Sequence, residues 1–302
     1  MQIEGLSWFP GHMTKTKRMI VAEIKNMDAV CEILDARIPL SSRNPDVDEM
    51  TAGKPRMVVL NRMDQADPKE TKRWAAYFRG KGYAVLEANA KGGMGTEQFA
   101  AAVRELLKDK LAAYAEKGQV GRTVRVMVLG IPNVGKSTFI NKVARRKSAK
   151  AGDRPGVTRG KQWVAVDAGL DLLDTPGILW PKFEDQTVGR NLAFTGAIKD
   201  EVMDAETLAC YLMETLAERY PQALLERYKL ELPPRAQDEE TGGLSYGYDL
   251  LERAARKRGF LISGGEPDTE RMAKVLLDEF RAGRLGHFTL ETPEGAEAYG
   301  DG

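Results

Sequence analysis

Cysteine is nearly absent from this chain. Cys31 and Cys210 are its two thiols, too few and too far apart for a disulfide framework or a zinc site. No apolar run approaches the ~18 residues that would suggest a membrane span. The first dozen residues lack the basic stretch and apolar core of a secretion signal. They also lack the Arg- and Ser-rich pattern of an organelle transit peptide. These absences predict a cytoplasmic protein with reduced thiols and no membrane partner. Net charge is only +1, which argues against an indiscriminate nucleic-acid binder.

The charge is unevenly spread. Residues 1–150 carry 27 basic against 16 acidic side chains, residues 151–205 carry 6 against 9, and residues 206–302 carry 12 against 19. A basic first half permits an anionic partner such as RNA. A chain of 302 residues is long enough for two domains with cores of their own.

The most informative stretch present is Gly130-Ile131-Pro132-Asn133-Val134-Gly135-Lys136-Ser137. It has the Gly-x4-Gly-Lys-Ser spacing of a phosphate-binding loop. An apolar, β-prone run (124–129) leads into it, and a helical pattern follows from Thr138. That strand–loop–helix context separates such a loop from a chance match. The backbone wraps the anion and the helix N-terminus points N–H groups at it. Asn133, Val134, Gly135, Lys136, Ser137 and Thr138 are the candidate phosphate contacts. Lys136 reaches the β- and γ-phosphates, and the Ser137 hydroxyl is a ligand for Mg2+.

Three further motifs frame a nucleotide. Asn61-Arg62-Met63-Asp64 follows an apolar run (56–60). A carboxylate at Asp64 can accept the paired N1–H and exocyclic amine of guanine, a donor pair that adenine lacks. The stem of Arg62 can lie over the ring. Alone, this pattern equally fits a turn with an Asx cap. Asn89-Ala90-Lys91 fits a companion loop whose backbone N–H groups meet the guanine oxygen. Asp174-Thr175-Pro176-Gly177 ends another strand, with Asp174 placed to hold Mg2+ through water and the Gly177 N–H to meet the γ-phosphate. Between them, residues 152–158 form a loop whose single Thr, Thr158, would complete the Mg2+ shell and order with GTP.

Strands alternate with helices up to Trp180, which predicts a mostly parallel α/β sheet with helices on both faces and ligands at the strand C-termini. Beyond residue 188 the patterns are helical, with one helix expected over 188–218 and a short final strand over 287–290. The expected division is a nucleotide-binding domain (1–182), a connecting segment (183–205), a mostly helical domain (206–292) and a frayed tail (293–302).

The guanine motifs thus precede the phosphate motifs, the reverse of the usual order. The chain resembles a circularly permuted GTPase, and more narrowly the YlqF/RbgA family of bacterial ribosome-assembly GTPases. The likeness rests on the Trp-Phe-Pro-Gly-His-Met stretch (8–13), Asp35-Ala36-Arg37-Ile38-Pro39, the phosphate loop, Asp153-Arg154-Pro155-Gly156-Val157-Thr158, residues 173–181 and Gly196-Ala197-Ile198-Lys199. The resemblance implies a GTP-hydrolysing assembly factor that binds rRNA and ribosomal proteins of the large subunit and acts as a monomer. A binding scaffold with little hydrolysis and a small-subunit factor are the alternatives. It also implies a catalytic role for His12, held on a turn by Pro10-Gly11, because Ile178 stands where conventional GTPases keep a water-orienting Gln. A turn His that only packs is the competing reading. The resemblance further suggests that Asn133 helps to hold K+ beside the phosphates, while a turn residue tolerating an unusual backbone angle fits it equally. Arg37 is expected to be structural. Candidate RNA contacts are Lys15, Lys17, Arg18, Arg145, Arg146, Lys147 and Lys150, and in the second domain Arg253, Arg256, Lys257 and Arg258.

Overall fold

The computed structural model describes residues 10–144, 161–180, 185–198, 204–234 and 244–299. Two compact units are present. One comprises residues 1–184 together with 291–302, and the other residues 185–290.

The first unit is built on six strands: β1 (Ala29–Asp35), β2 (Arg56–Asn61), β3 (Ala84–Ala88), β4 (Val124–Gly130), β5 (Gln162–Asp167) and β6 (Leu170–Asp174). They lie in the order β3-β2-β1-β4-β6-β5. All neighbours are parallel except β5 and β6, which form an antiparallel pair at one edge. β1 and β2 are buried along their whole length, which is why both read as continuous apolar runs rather than alternating ones. Around the sheet run α1 (Pro10–Glu23), α2 (Asp46–Met50), α3 (Pro68–Gly80), α4 (Phe99–Leu106), α5 (Lys108–Glu116) and α6 (Lys136–Val143). The amphipathic pattern over 68–80 predicts α3, and its start is encoded locally. Asp67 caps the N–H of Lys69 at 2.8 Å, and Pro68 occupies the first turn.

Two apolar clusters position the later argument. One joins Leu34, Ala36, Val58, Leu60, Ala66, Trp74, Ala75 and Phe78. The other joins Ile20 of α1 to Met27, Val30, Val47, Met127, Leu129, Leu173 and Ile178.

The second unit is helical: α7 (Gln186–Phe194), α8 (Ala205–Arg219), α9 (Pro221–Tyr228), α10 (Leu244–Lys257) and α11 (Thr269–Arg281). α8 packs on both α10 and α11. Its ion cluster centres on Glu279, whose carboxylate accepts from Arg227, Tyr228 and Arg258. Among the described residues, no helix is long and apolar enough to cross a membrane.

Four expectations are revised. The helix expected over 188–218 is two helices, because α7 closes on a turn in which Ala197 N–H reaches Leu192 O at 2.9 Å and α8 restarts on an Asp204 cap. The pattern over 96–115 predicts one long helix, and the structure breaks it at Leu107. Residues 287–290 form no strand, and their bonds run instead to Tyr220 and Arg219. Where a frayed tail was expected, helix α12 (Pro293–Tyr299) packs against α3. Ala296 at 2% exposure completes the Trp74 cluster.

Candidate functional site

Two of the five parallel strands, β2 and β6, end in residues of the expected site, Asn61 and Asp174, while β3 and β4 run directly into the companion loop and the phosphate loop. Register aligns Asp35 of β1 with Asn61 of β2, and Asn61 with Ala88 of β3. On the other side, Ile33 pairs with Gly130 of β4, and Val128 of β4 pairs with Asp174 of β6. Motifs spread over more than a hundred residues of sequence therefore meet at one edge of one sheet. The phosphate loop leaves β4, next to β1, where the direction of the crossovers changes. That is the crevice in which α/β sheets bind ligands.

The loop is shaped for an anion. Gly135 has φ 93°, and a Cβ there would stand 2.4 Å from Asn61 Nδ2, so both backbone and space require glycine. α6 begins directly after it with no side-chain cap. By contrast α3, α7, α8 and α11 each start on an aspartate, Asp67, Asp185, Asp204 and Asp268. The first-turn N–H groups of α6 are left for an incoming phosphate. Ser137 is half-buried, and Thr138 and Asn133 are exposed. Asn133 adopts φ 59°, and Val134 is buried.

Lys136 is buried, and its ammonium donates to Asp174 Oδ1 and to the Thr175 carbonyl. Burial pulls its pKa down, and Asp174 opposes that. Thr175 is anchored through its hydroxyl on Val128 O at 2.8 Å. Gly177 lies against the phosphate loop, and a Cβ there would stand 2.8 Å from Pro132 N. The Ile178 N–H donates to Gly130 O at 3.1 Å. A carboxylate, a hydroxyl and a phosphate make an all-oxygen donor set, which suits a hard cation such as Mg2+.

The guanine-side motif is tied to the phosphate loop. Asn61 is 2% exposed. Its Nδ2 donates to Val134 O at 2.9 Å, and its Oδ1 accepts the Ala90 N–H at 3.0 Å. Asn61 thus braces the phosphate loop and the companion loop together. Asn89 shapes that loop by accepting the Gly92 N–H at 2.8 Å. Arg62 has φ 61°; its guanidinium donates to Asn133 O at 3.0 Å and lies 3.6 Å from the Asp35 carboxylate. Burial, with the nearby Arg37 cation, pulls Arg62 down, while Asp35 opposes. Asp64 is exposed at the tip of the turn.

Arg37 is 1% exposed and grips Asp35 with two bonds, at 2.9 and 2.7 Å. Burial alone would raise the Asp35 carboxyl, but Arg37 outweighs it and holds it below the ordinary range. Sequence reasoning saw no chemical role in this stretch. The signal was the Asp-x-Arg spacing itself, which lets one side chain fold back on the other.

His12 lies in the first turn of α1 rather than on a preceding turn, because Pro10 opens the helix. The His12 side chain and all of Thr158 lie outside the described residues, as do Arg145, Arg146, Lys147 and Lys150. Ile178 is 4% exposed and packed with Ile20 of α1. Arg258, just past the end of α10, turns inward to Glu279 and lies over Tyr228. Arg253 and Arg256 are exposed and pair with Asp249 and Glu266, and Lys257 is exposed. Lys17 pairs with Asp46 at 2.6 Å.

A phosphate loop on β4, a guanine-type motif one strand beyond β1 and an Asp-Thr-Pro-Gly turn on β6 define a P-loop GTPase in permuted order. The family model described as 50S ribosome-binding GTPase matches residues 125–229, from β4 onward. Ribosome biogenesis GTPase A of Bacillus cereus is 47% identical over 96% of this chain and 94% of its own. Among solved structures, GDP-bound TM YlqF covers 92% of this chain and 100% of its own at 28% identity, with a TM-score of 0.63. GNP-bound YlqF from T. maritima covers 93% and 99% at 29% identity, with a TM-score of 0.58. The chain belongs to the ribosome biogenesis GTPase A family. It is a GTPase that acts in ribosome assembly.

Proposed function

We propose that this GTPase assembles the large ribosomal subunit, binding rRNA and ribosomal proteins in a nucleotide-dependent way, and that it works as a monomer in the cytoplasm. The observation that supports the reading is that the strands leading into the Asn61–Asp64 turn, the phosphate loop and the Asp174–Gly177 turn lie parallel in one sheet around β1. The printed descriptions of the matching family and relatives support the partner.

GTP binds with its base against Asp64 and the loop at Asn89 and Ala90, and with its phosphates on Asn133–Thr138. Lys136 exchanges Asp174 for the β- and γ-phosphates, so a buried cation meets charge that it already needs. Ser137, Asp174 and Thr158 are the residues that would hold Mg2+. Bound there, the ion neutralises charge that develops on the phosphates. The Gly177 N–H senses the γ-phosphate.

Ile178 takes no part in orienting water, because its side chain is packed away in the core. His12 takes that role from α1. The same cluster supports it, since Ile20 of α1 packs with Ile178. Asn133 is the residue that would help to hold K+, which would supply a further positive charge beside the phosphates, and substituting Na+ should then slow turnover.

The test is co-sedimentation with each ribosomal subunit in GTP, GDP and a non-hydrolysable analogue, together with subunit-stimulated turnover of His12→Ala. Large-subunit binding that depends on nucleotide, and stimulation lost in His12→Ala with GTP affinity kept, are expected. Equal binding to both subunits in every state, or unchanged stimulation, would reject the respective part.

A further inference from the structure

The chain leaves the helical unit at Leu290, and Glu291 is the first residue back in the GTPase unit. Its carboxylate accepts the Leu40 N–H at 2.7 Å, the Ser41 N–H at 3.0 Å and the Ser41 hydroxyl. Its own carbonyl accepts the Trp74 indole N–H at 3.2 Å. Five residues on, Ala296 closes the cluster around Trp74. That cluster contains Leu34 and Ala36, which flank Asp35, and Leu60 and Ala66, which flank the Asn61–Asp64 turn.

The loop that Glu291 holds is the one that supports Asp35. The Asp35 N–H donates to Ser42 Oγ at 2.9 Å. Asp35 in turn faces Arg62 at 3.6 Å, and Arg62 donates to Asn133 O. Arg62 sits in the left-handed region with a bulky side chain. Such a conformation persists only where its surroundings over-determine it. Here the surroundings are Asp35 on one side and the phosphate loop on the other.

We propose that Glu291 is a positioning residue for guanine recognition. By fixing the N–H groups of Leu40 and Ser41, it holds the loop after β1. Through Asp35 and Arg62 it then holds the turn that presents Asp64 to the base. The inference rests on the reading of Asp64 as the guanine carboxylate. A carboxylate accepting two backbone N–H groups and a hydroxyl is a set of charge-assisted bonds, roughly twice as strong as neutral ones. Glu291 is 250 residues from Ser41 in sequence, so no local pattern announces the contact.

The test compares binding of GDP and of IDP, whose base lacks the exocyclic amine. Glu291→Ala is expected to weaken GDP binding about tenfold. It should also narrow the GDP/IDP affinity ratio, because a loosened Asp64 loses its hold on the amine. Glu291→Gln keeps the size and one acceptor oxygen, and it should fall between wild type and Glu291→Ala. Glu294→Ala, three residues on in α12, removes the exposed pair with Arg73 of α3, and it should leave both values as they are. An unchanged ratio in Glu291→Ala and Glu291→Gln, whatever their melting temperatures, overturns the positioning role. A wild-type protein that does not separate GDP from IDP overturns the Asp64 reading itself, before any variant is measured.

Discussion

Replacing Ile178 by Gln restores on paper the residue that conventional GTPases use to orient water. The structure predicts loss rather than gain. Ile178 is 4% exposed and belongs to a buried apolar cluster with Ile20, Met27, Val30, Val47, Met127, Leu129 and Leu173. Losing the buried isoleucine forfeits about 1.5–3 kcal/mol of transfer free energy. Burying an amide with no partner in that cluster costs about 1–3 kcal/mol more. The total, about 2.5–6 kcal/mol, is a large share of the 5–15 kcal/mol typical of a folded protein. At about 2–4 °C per kcal/mol for a domain of this size, melting should fall by roughly 5–24 °C. The assay pairs thermal unfolding with GTP turnover in the absence of a partner. The expected result is a lower melting temperature with no rise in turnover, and with Ile178→Val losing only about 1 kcal/mol. A variant that melts within about 2 °C of the native protein and hydrolyses GTP faster would show the side chain reaching the γ-phosphate, and the packing argument would be wrong.

Two other perturbations follow from single observations. Asn61→Ala leaves Val134 O and Ala90 N without their bonds at 2.9 and 3.0 Å. About 2–4 kcal/mol should be lost, and calorimetry should show GDP and GTP affinity falling together; unaltered affinity would make Asn61 a bystander. In the helical unit, burial tends to raise the Glu279 carboxyl, but Arg227, Tyr228 and Arg258 outweigh it and lower its pKa from 4.5 to about 2. A depressed carboxyl contributes stability that is present above pH 4.5 and lost as pH falls toward 2, on the order of 3 kcal/mol. Glu279→Gln should therefore flatten the dependence of unfolding on pH across that window, and an unchanged slope would place the acid sensitivity elsewhere.

Much of the chemistry was legible in the residues alone, for a physical reason. A phosphate loop, an Asp cap and a Pro at a helix start act within a few residues of themselves, so Gly130–Ser137 and the start of α3 could be read directly. Buried parallel strands leave apolar runs, and β2 and β4 announced themselves that way. Ends that depend on distant partners were less legible. A long helical periodicity ran across the turn at Ala197 because both flanking helices are amphipathic. An apolar stretch at 287–290 resembled a strand until its bonds proved to go to side chains of Tyr220 and Arg219.

The sequence by itself determined that a guanine nucleotide's phosphates are gripped here, and that the motifs run in permuted order. Both are matters of residue type and spacing. Only the tertiary structure decided what surrounds them. It put Asn61 between two loops and placed Ile178 in a buried cluster that includes Ile20 of α1. It also brought Glu291 back across the chain to Leu40 and Ser41. Those roles depend on sheet register and on long-range closure. Neither leaves a periodic trace, because the partners are chosen by position in space.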